Sequence, residues 1–336
     1  MHLIHRTSVF GILLIALAGC GGGGGGGGGS ELTGRMNLFL TDARSAFEDV
    51  TAVYVEFTGI TLKPQSGDEI FIDFSSDPKS IELIQLNGGV VTPLLADQEL
   101  LPGRYNWIGL HVNARFDGRF DSYATLGDPM LESSMVELQV PSSSQNPNSD
   151  QPDVRLVSGF TVMAGDTTDI VIDWDLRQAL ADPQSAANPS NGSYSGYFLR
   201  PALRVTDMAA FATLFGTVEE ALLSTEDGAE PSCTNDLAAG TGSAVYVYQG
   251  QPAQPGDMGS QGDGPLVTAT VSLNKDLVYT FEAHFLPVGN YTAALTCQAS
   301  DDDPMAGGDE IWFRELRTFS IEDHGVDAEL PFEPAP

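Results

Sequence analysis

The chain has 336 residues, with 46 acidic side chains against 15 basic ones and a formal net charge of −31 at pH 7. A surface this acidic repels phosphate groups, which argues against nucleic acid as a partner and against electrostatic attachment to a membrane. The hydrophobic fraction of 42% excludes wholesale disorder, and the length exceeds the usual size of a single core, so we expect about two domains.

Residues 1–19 have the layout of a secretory signal peptide. A polar start that contains Arg6 precedes the apolar run 9–17, and small residues follow. The apolar run is about half as long as the roughly 20 residues that a bilayer-crossing helix requires, so we expect it to be removed. Cleavage after Ala16-Leu17-Ala18 by the ordinary signal peptidase would release a soluble protein.

A second cleavage site follows from Leu17-Ala18-Gly19-Cys20, which resembles a bacterial lipobox. The resemblance implies cleavage before Cys20, with a diacylglycerol on its thiol and an acyl chain on its new amino group. Since each buried methylene contributes about 0.8 kcal/mol, two or three acyl chains would hold the protein durably on a lipid bilayer, whereas one chain would do so only marginally. Cys20 is therefore the predicted lipidation site, and the lipid bilayer is an expected partner.

Glycines 21–29 form an uninterrupted run directly after Cys20. A chain without Cβ atoms has no preferred conformation, so we expect a flexible tether with a root-mean-square reach of roughly 15–20 Å. The residue after the lipidated cysteine, the sorting position, is Gly21 and not Asp. In this the sequence resembles lipoproteins that are delivered to the outer membrane of Gram-negative bacteria. The predicted organisation begins with a lipoprotein signal peptide at 1–19 and a lipidated cysteine with its glycine-rich linker at 20–32.

Short segments in which apolar and polar side chains alternate recur from residue 34 onward, and Gly, Pro, Asp or Asn separate them. This pattern is typical of antiparallel β-sheets that are buried on one face. The strands predicted in the first half are 34–41, 50–62, 69–74, 105–114 and 168–176. The stretch 176–181 is predicted to be a short helix, and the polar stretches 141–153 and 182–195 are predicted to be surface loops.

The predicted strand 168–176 carries aspartates on one face. The apolar side chains of Ile170, Ile172, Trp174 and Leu176 would be buried, which leaves Asp169, Val171, Asp173 and Asp175 on the opposite face. The simplest interpretation is a face exposed to water. A carboxylate pair for glycoside cleavage would take the same form, so that alternative stays open.

The alternation pauses at residues 208–214 and restarts at 215–218, which we take as the boundary between two domains. The strands predicted beyond it are 243–248, 267–273, 278–283, 291–297 and 315–321. The predicted fold is therefore all-β, with two antiparallel β-sandwich-like domains at 33–208 and 213–336.

The two predicted domains share a local device, Leu101-Pro102-Gly103-Arg104-Tyr105 in the first and Leu286-Pro287-Val288-Gly289-Asn290-Tyr291 in the second. Proline presets the turn and glycine permits a positive φ, and an alternating strand follows each time. Both stretches are predicted to be hairpin or sheet-entry turns. Repeated turn chemistry is the simpler explanation of the similarity, and shared ancestry is the alternative.

The chain contains three cysteines, and with Cys20 assigned to lipid the remaining pair is Cys233 and Cys297. An exported compartment permits a disulfide bond between them. A bond that closes a loop of about 65 residues would stabilise the fold by roughly 4 kcal/mol in the chain-entropy model. Two free buried thiols or a metal site are the alternatives, although histidine partners are not near in the sequence.

No motif in the sequence amounts to a catalytic site. His111, His284 and His324 lie far in sequence from any motif that would make them a base, and Ser195 and Ser260 are not centred in a nucleophile elbow. We therefore assign no catalytic residue. A triad assembled from distant residues is the alternative.

An acidic stretch near the C-terminus is the candidate metal site. Asp301, Asp302 and Asp303, together with Asp309, would supply hard oxygens to Ca²⁺, which takes six to eight ligands at about 2.4 Å. The spacing lacks the Asp-x-Asp-x-Asp-Gly order, and a solvated acidic loop is the alternative interpretation. No other cofactor is expected.

Several stretches before residue 206 together resemble one known family. They are 34–43, 50–62, 81–88, 101–110, 158–160 with 164–165, 172–176 and 199–205. Their order resembles the exported domain-of-unknown-function family 4382, which has no established activity, so the resemblance implies no catalytic residue. Residues 244–248 and 279–291 more loosely resemble a carboxypeptidase-regulatory-like, prealbumin-type sandwich, which implies a spacer or binding unit.

We therefore expect a non-enzymatic lipoprotein of the cell envelope, anchored through Cys20 in the outer membrane of a Gram-negative bacterium. It would act as a binding, adhesion or structural module, because a β-rich exterior with long polar loops is suited to recognition. The sequence does not identify its protein or glycan ligand. An envelope hydrolase that cleaves carbohydrate through Asp or Glu residues, and a calcium-dependent surface module, are the two alternatives.

Overall fold

The computed structural model describes residues 32–43, 50–127, 134–141, 153–181, 196–225, 231–237, 241–251, 254–260, 262–304 and 306–334. The chain divides into two units, residues 1–31 and residues 32–336. The predicted signal peptide, Cys20 and the glycine run lie outside the described residues. All contacts below belong to the second unit.

The described residues form sheets with little helix, which confirms the prediction of an all-β fold. The strands of the first half are β1 Gly34–Ala43, β2 Val50–Pro64, β3 Ile70–Asp73, β4 Lys79–Glu82, β5 Thr92–Leu100, β6 Gly103–Val112, β7 Tyr123–Leu126, β8 Met135–Gln139, β9 Val154–Leu156, β10 Phe160–Val162, β11 Thr167–Asp175, β12 Leu180–Ala181, β13 Gly196–Leu199 and β14 Leu203–Asp207. Those of the second half are β15 Ala212–Val218, β16 Ala244–Gln249, β17 Val267–Thr270, β18 Ser272–Leu273, β19 Tyr279–Leu286, β20 Gly289–Thr296, β21 Phe313–Ile321 and β22 Ala328–Glu329. The helical segments are α1 Leu176–Ala179 and single 3₁₀ turns at Ile84–Leu86, Met208–Ala210 and Glu220–Leu222.

Strands β1 to β14 form two sheets around one core. A 4-stranded sheet has the order β14-β11-β1-β5, and a 10-stranded sheet is built around β2 and β6. Strands β1 and β11 run parallel, with Leu38 beside Ile170. Apolar side chains of both sheets, such as Leu38, Ile60 and Trp174, are fully buried in the same cluster. We call these two sheets the first sheet pair.

Strands β15 to β22 form a second, smaller pair of sheets. Their orders are β18-β19-β15-β22 and β17-β16-β20-β21. Leu214, Val245, Phe281 and Leu295 belong to the cluster that the two sheets enclose. We call these sheets the second sheet pair. The domain limits 33–208 and 213–336 stay a prediction.

The two sheet pairs share part of their strand pairing. Strands β1 and β15 each have one antiparallel neighbour, β5 or β19, and one parallel neighbour, β11 or β22. Strands β2 and β16 pair with β6 and β20, which in turn pair with β10 and β21, always antiparallel. This shared order favours common ancestry of the two halves over repeated turn chemistry alone.

The shared turn device lies where the chain crosses from one sheet of each pair to the other. The chain passes from one sheet to the other between β5 and β6, and again between β19 and β20. The Tyr105 hydroxyl donates to the Leu101 carbonyl at 3.0 Å, and the Tyr291 hydroxyl donates to the Pro287 carbonyl at 2.6 Å. Each device is therefore a sheet-entry turn, as predicted, with the hydrogen bond of a tyrosine corner.

Two local predictions differ from the structure. Helix α1 ends at Ala179, because Leu180–Ala181 pairs with β13 and extends the sheet. The predicted pause at 208–214 is too long, since β15 begins at Ala212 and pairs with β19 from its first residue. Most of the two predicted polar loops lies outside the described residues.

Candidate functional site

The aspartate-bearing face of β11 is buried except at Asp169, which is half-buried and accepts from the Asn37 side-chain amide at 2.6 Å. The prediction that this face is exposed to water is therefore wrong for Asp173 and Asp175. Asp173 and Asp175 are 5% and 4% exposed, and Val171 is fully buried. The second sheet pair covers this face, because the amide and hydroxyl of Thr268 donate to the Asp175 carboxylate at 3.0 and 3.1 Å. A polar strand face can be buried when a second polar surface supplies its hydrogen bonds.

Asp175 also starts helix α1. Its Oδ1 accepts from the amides of Arg177 at 3.1 Å and Gln178 at 3.3 Å, as an N-cap side chain does. Burial raises the pKa of the Asp175 carboxyl and the Asp173 charge raises it further, while hydrogen bonds from Gln178 and Thr268 lower it. One carboxylate thus ends a strand, caps a helix and holds the second sheet pair.

Arg204 on β14 makes the second polar link between the sheet pairs. It forms an ion pair with Asp173 on the neighbouring strand and donates to the carbonyls of His284 at 3.2 Å and Phe285 at 3.4 Å. Thr206 donates to the same Phe285 carbonyl at 3.4 Å. Phe285 has a φ of 57°, which is rare for a bulky residue and persists only where surrounding contacts hold it.

Arg177 makes a third link. Its side chain is buried, and Nη2 donates to the Thr270 hydroxyl at 2.9 Å. The network that joins the two sheet pairs therefore consists mainly of buried polar groups. We call it the joint, and its residues are Asp173, Asp175, Arg177, Arg204, Thr206, Thr268, Thr270 and Phe285.

A cavity of about 250 Å³ lies beside the joint, between the two sheet pairs. Most of the residues that line it are polar. They are Thr41, Asp42, Asn87, Gly88, Gly89 and Asp173 of the first sheet pair and Val267, Thr268, Ala269, Thr270, Ser272, Thr280, Phe281, Glu282, Ala283, His284 and Phe285 of the second. The cavity therefore exists only because the two halves meet.

Asp42 is the buried acid of this cavity. It is 5% exposed, and its Oδ1 accepts from the Leu176 amide at 3.0 Å. Its Oδ2 is buried and has no hydrogen-bond partner among the described residues. Burial raises the pKa of the Asp42 carboxyl well above its usual value, the Leu176 amide lowers it, and the charges of Asp173 and Asp175 raise it further. A carboxyl in this setting favours the protonated form, which can donate a hydrogen bond.

Another part of the lining combines a glycine turn of the first sheet pair with an imidazole of the second. Gly88 and Gly89 have φ values of 70° and 76°, and a Cβ atom on Gly89 would lie 2.9 Å from His284 Nδ1. Glycine therefore allows the close approach of the two sheet pairs. His284 Nδ1 is 3.2 Å from the Thr213 hydroxyl, and Nε2 is 3.2 Å from Glu282 Oε2.

Sequence reasoning missed Asp42, although a signal for it was present. Met36, Leu38 and Leu40 face the core of the first sheet pair, and Asp42 continues their period of two. An acid in the register of buried apolar residues indicates a buried carboxyl. Most of its neighbours in the cavity had no such signal, because they come from the other half of the chain.

The predicted calcium-binding residues are held by protein hydrogen bonds. Asp302 is 3% exposed and accepts from the Tyr246 hydroxyl at 2.8 Å and the Met258 amide at 3.1 Å. Asp309 Oδ2 accepts from the Asp303 amide at 2.9 Å, while Asp301 is exposed. Within the described residues, no group of three or more His, Cys, Asp or Glu side chains is placed to hold a metal ion. Calcium binding stays a prediction.

Among the histidines and serines considered from the sequence, His284 is the one described residue that lines the cavity. His111 is buried and its Nε2 lies 2.8 Å from the Thr61 hydroxyl. Ser260 donates to Asp257, and Ser195 lies outside the described residues. His324 is exposed.

Cys233 and Cys297 form a disulfide bond, with Cα atoms 5.1 Å apart and a sequence separation of 64. The predicted bond is confirmed, and the alternatives of free thiols or a metal site no longer apply. None of the described helices has the length and apolar character needed to cross a membrane.

Solved structures with some similarity to this chain are all distant. The TIE protein of Bacillus anthracis is 12% identical with a TM-score of 0.18, and the match covers 90% of this chain but only 34% of that protein. A minor pilin of Streptococcus agalactiae is 10% identical, with 90% of this chain and 98% of the pilin covered and a TM-score of 0.15. A fimbrial anchor protein of Porphyromonas gingivalis is 10% identical, with 82% and 83% covered and a TM-score of 0.16. TM-scores this low do not establish a common fold, so no function is transferred from these proteins.

Sequence comparison gives a clearer result. None of the curated proteins matches the chain. The family described as Domain of unknown function (DUF4382) matches residues 33–201, which is half of the chain. The match includes β1 to β13 and the cavity residues Asp42 and Asp173, and it ends just before β14. The chain belongs to the DUF4382 family.

Proposed function

We propose that the protein is an exported module of the cell envelope, anchored through lipid on Cys20, that binds or spaces other envelope components without catalysing a reaction. The sequence around Cys20 supports the anchor and the outer-membrane location. The joint supports the non-enzymatic role.

The observation that carries this proposal is that the buried carboxylates are engaged in contacts within the protein. Asp173 is paired with Arg204, and Asp175 receives hydrogen bonds from α1 and from Thr268. A carboxylate that serves as a base needs an oxygen within reach of the proton it removes. These two carboxylates instead fix one sheet pair to the other, which gives a rigid body suited to spacing or to presenting a binding surface.

The proposal is tested by comparing binding with catalysis on the same material. Purified full-length protein is applied to a glycan array and to isolated envelope fractions, and release of reducing sugar ends is followed in parallel. We expect retention on at least one envelope component with no release of sugar. Sugar release that Asp173→Asn abolishes would contradict the proposal.

A carbohydrate hydrolase is the second candidate, because Asp42 and Asp173 line the same cavity. Glycoside hydrolases use two carboxyl groups about 5–10 Å apart, one protonated as the general acid and one ionised as the base or nucleophile. The pairing of Asp173 with Arg204 favours the non-enzymatic role. The assay described above separates the two candidates.

A calcium-dependent surface module is the third candidate. It rests on the acidic residues Asp301, Asp302, Asp303 and Asp309. A ligand that binds the folded state at 100 times its Kd raises the free energy of unfolding by about 2.7 kcal/mol. A melting temperature that is the same with millimolar Ca²⁺ and with a chelator would reject this candidate.

A further inference from the structure

We propose that the cavity between the sheet pairs is a binding site for one neutral, hydroxyl-rich ring, such as a single sugar unit, and that Asp42 donates a hydrogen bond to it. This inference rests on the proposed function as a binding module and names the ligand class of that module.

Two residues that line the cavity each have a buried polar atom without a hydrogen-bond partner among the described residues, Asp42 Oδ2 and His284 Nε2. Asp42 Oδ2 is the one that a carboxyl proton can occupy. An unpaired polar atom that is buried costs about 1–3 kcal/mol of desolvation, so a ligand that accepts a hydrogen bond there removes a penalty that the protein otherwise carries. Because Oδ1 already accepts from the Leu176 amide, the proton of the neutral carboxyl belongs on Oδ2. A ligand that reaches Oδ2 therefore meets a donor.

The neighbouring lining groups offer both donors and acceptors. The Thr270 oxygen accepts from Arg177, which leaves its own proton to donate. The Asn87 amide nitrogen donates to the Ile84 carbonyl at 2.7 Å, which leaves the amide oxygen to accept. Ser272 and Thr280 add two hydroxyl groups, each of which can donate or accept. Sugar hydroxyls match such a set, because each is both donor and acceptor.

The charge around the cavity favours a neutral ligand over a cation. Asp173 is already paired with Arg204, and Glu282 lies beside His284. Arg177 stands behind Thr270 and adds positive charge close by. Within the described residues no metal-ligand cluster includes this site. An ammonium group or a metal ion would find few carboxylates free to pair with it.

The volume sets the size of the ligand. Pockets for drug-sized molecules occupy roughly 300–1,000 Å³, and this cavity of about 250 Å³ is somewhat smaller. A single six-membered sugar ring is of the appropriate size. The shared chemistry fits either a free monosaccharide or the terminal unit of a longer glycan.

The experiment titrates the purified full-length protein with D-glucose, D-galactose and N-acetyl-D-glucosamine, and follows binding by calorimetry and saturation-transfer NMR. The Asp42→Asn variant keeps a carbonyl for Leu176 and offers an amide donor in place of the carboxyl. Asp42→Leu removes the donor, and Ser272→Leu fills the cavity from the other sheet pair. Asp68→Asn, at an exposed position away from the cavity, is the matched control.

We expect at least one of the sugars to bind, with an affinity that Asp42→Asn and Asp68→Asn change less than threefold. Asp42→Leu and Ser272→Leu should weaken binding at least tenfold. If Asp42→Leu does not fold, Ser272→Leu still tests the site. A glycan array probed with wild type and with Ser272→Leu separates a free monosaccharide from the terminal unit of a longer glycan as the ligand. If the cavity binds terminal sugar units, wild type gives array signals that Ser272→Leu loses. If it binds only free monosaccharides, no array signal depends on Ser272.

Three results would overturn the inference: no sugar binds, Ser272→Leu binds as wild type does, or Asp42→Asn loses binding while Ca²⁺ competes with the sugar. The last result would make the site a cation site. Glycan or protein binding that persists in Ser272→Leu would leave the proposed function standing and reject this cavity as its site. Hydrolysis of the sugar-bearing glycans would instead reject the proposed function.

Discussion

Asp302 shows how strongly burial acts on single acidic side chains in this protein. Burial raises the pKa of its carboxyl to about 6, while the hydrogen bonds from Tyr246 and Met258 act in the opposite direction. In the unfolded chain the same carboxyl has its ordinary pKa of 3.8. Between these values the folded protein holds a proton that the unfolded chain has released.

We predict that Asp302→Asn removes a pH-dependent part of the stability. A raised folded pKa gives a contribution that is fully present below about pH 4 and is lost as the pH rises through about 6. Two pKa units correspond to at most roughly 3 kcal/mol. Urea unfolding of wild type and variant between roughly pH 3.5 and 7 measures the difference.

The control for this prediction is Asp301→Asn, at the exposed neighbouring position. It should leave the pH dependence of unfolding close to that of wild type. Equal slopes for wild type and Asp302→Asn between about pH 4 and 6 would contradict the prediction.

At the scale of elements, the two sheet-entry turns have the same structure in both halves. In each half one tyrosine follows a proline turn, enters a new sheet and bonds back to the carbonyl four positions earlier. The ring is buried and stacks on a phenylalanine of the adjacent strand, with centroids 5.0 Å apart for Tyr105 and 5.3 Å for Tyr291. Turn and ring together fix the angle at which the chain changes sheets.

We predict that Tyr105→Phe and Tyr291→Phe each lower the free energy of unfolding by about 1 kcal/mol, because each loses one hydrogen bond and keeps the stacked ring. Tyr279→Phe on β19 is the control, and it should lower the free energy of unfolding by less than half as much as the other two substitutions. Chemical denaturation measures all three. A loss of several kcal/mol would mean that the hydroxyl does more than bridge the turn.

At the scale of the whole molecule, the joint decides whether the two halves behave as one body. Arg204 neutralises the buried Asp173 and reaches two carbonyls of the second sheet pair. A buried ion pair is costly to break, because one uncompensated charge remains, but it is often replaceable by apolar groups of similar size.

We predict that Arg204→Met lowers the free energy of unfolding by about 3–5 kcal/mol and that adding Asp173→Leu recovers much of this loss. Calorimetry should also show whether the two halves still unfold in a single transition. If the double variant is as unstable as Arg204→Met, the contacts to His284 and Phe285 matter more than the ion pair.

The proposed lipid anchor at Cys20 is the second whole-molecule property to test. We predict that Cys20→Ser abolishes lipid labelling and moves the protein from the membrane fraction to the soluble fraction, because the acyl chains would be its strong apolar attachment. Fractionation and metabolic labelling with a fatty acid measure this. Membrane association that persists in the variant would place the attachment elsewhere in the chain.

The sequence by itself determined the local features of this protein. Alternation of apolar and polar residues predicted the strands, proline and glycine predicted the sheet-entry turns, and the count of cysteines predicted the bond from Cys233 to Cys297. These features depend on neighbours in sequence or on composition, so they can be read without a structure. Short strands such as β7 to β10 were missed because a few residues carry too little periodicity. The nine-residue β5 was also missed, because its sequence Thr-Pro-Leu-Leu-Ala-Asp-Gln-Glu-Leu does not alternate between apolar and polar residues.

Only the tertiary structure decided whether the polar face of β11 contacts water or the second sheet pair, and whether a cavity exists between the two pairs. The hydrogen bond between Asp42 and Leu176 joins residues 134 positions apart, and that between Asp175 and Thr268 spans 93. A polar face covered by another polar face has the same sequence pattern as one covered by water. Periodicity shows which side chains share a face, and the packing of the two sheet pairs alone determines what that face meets.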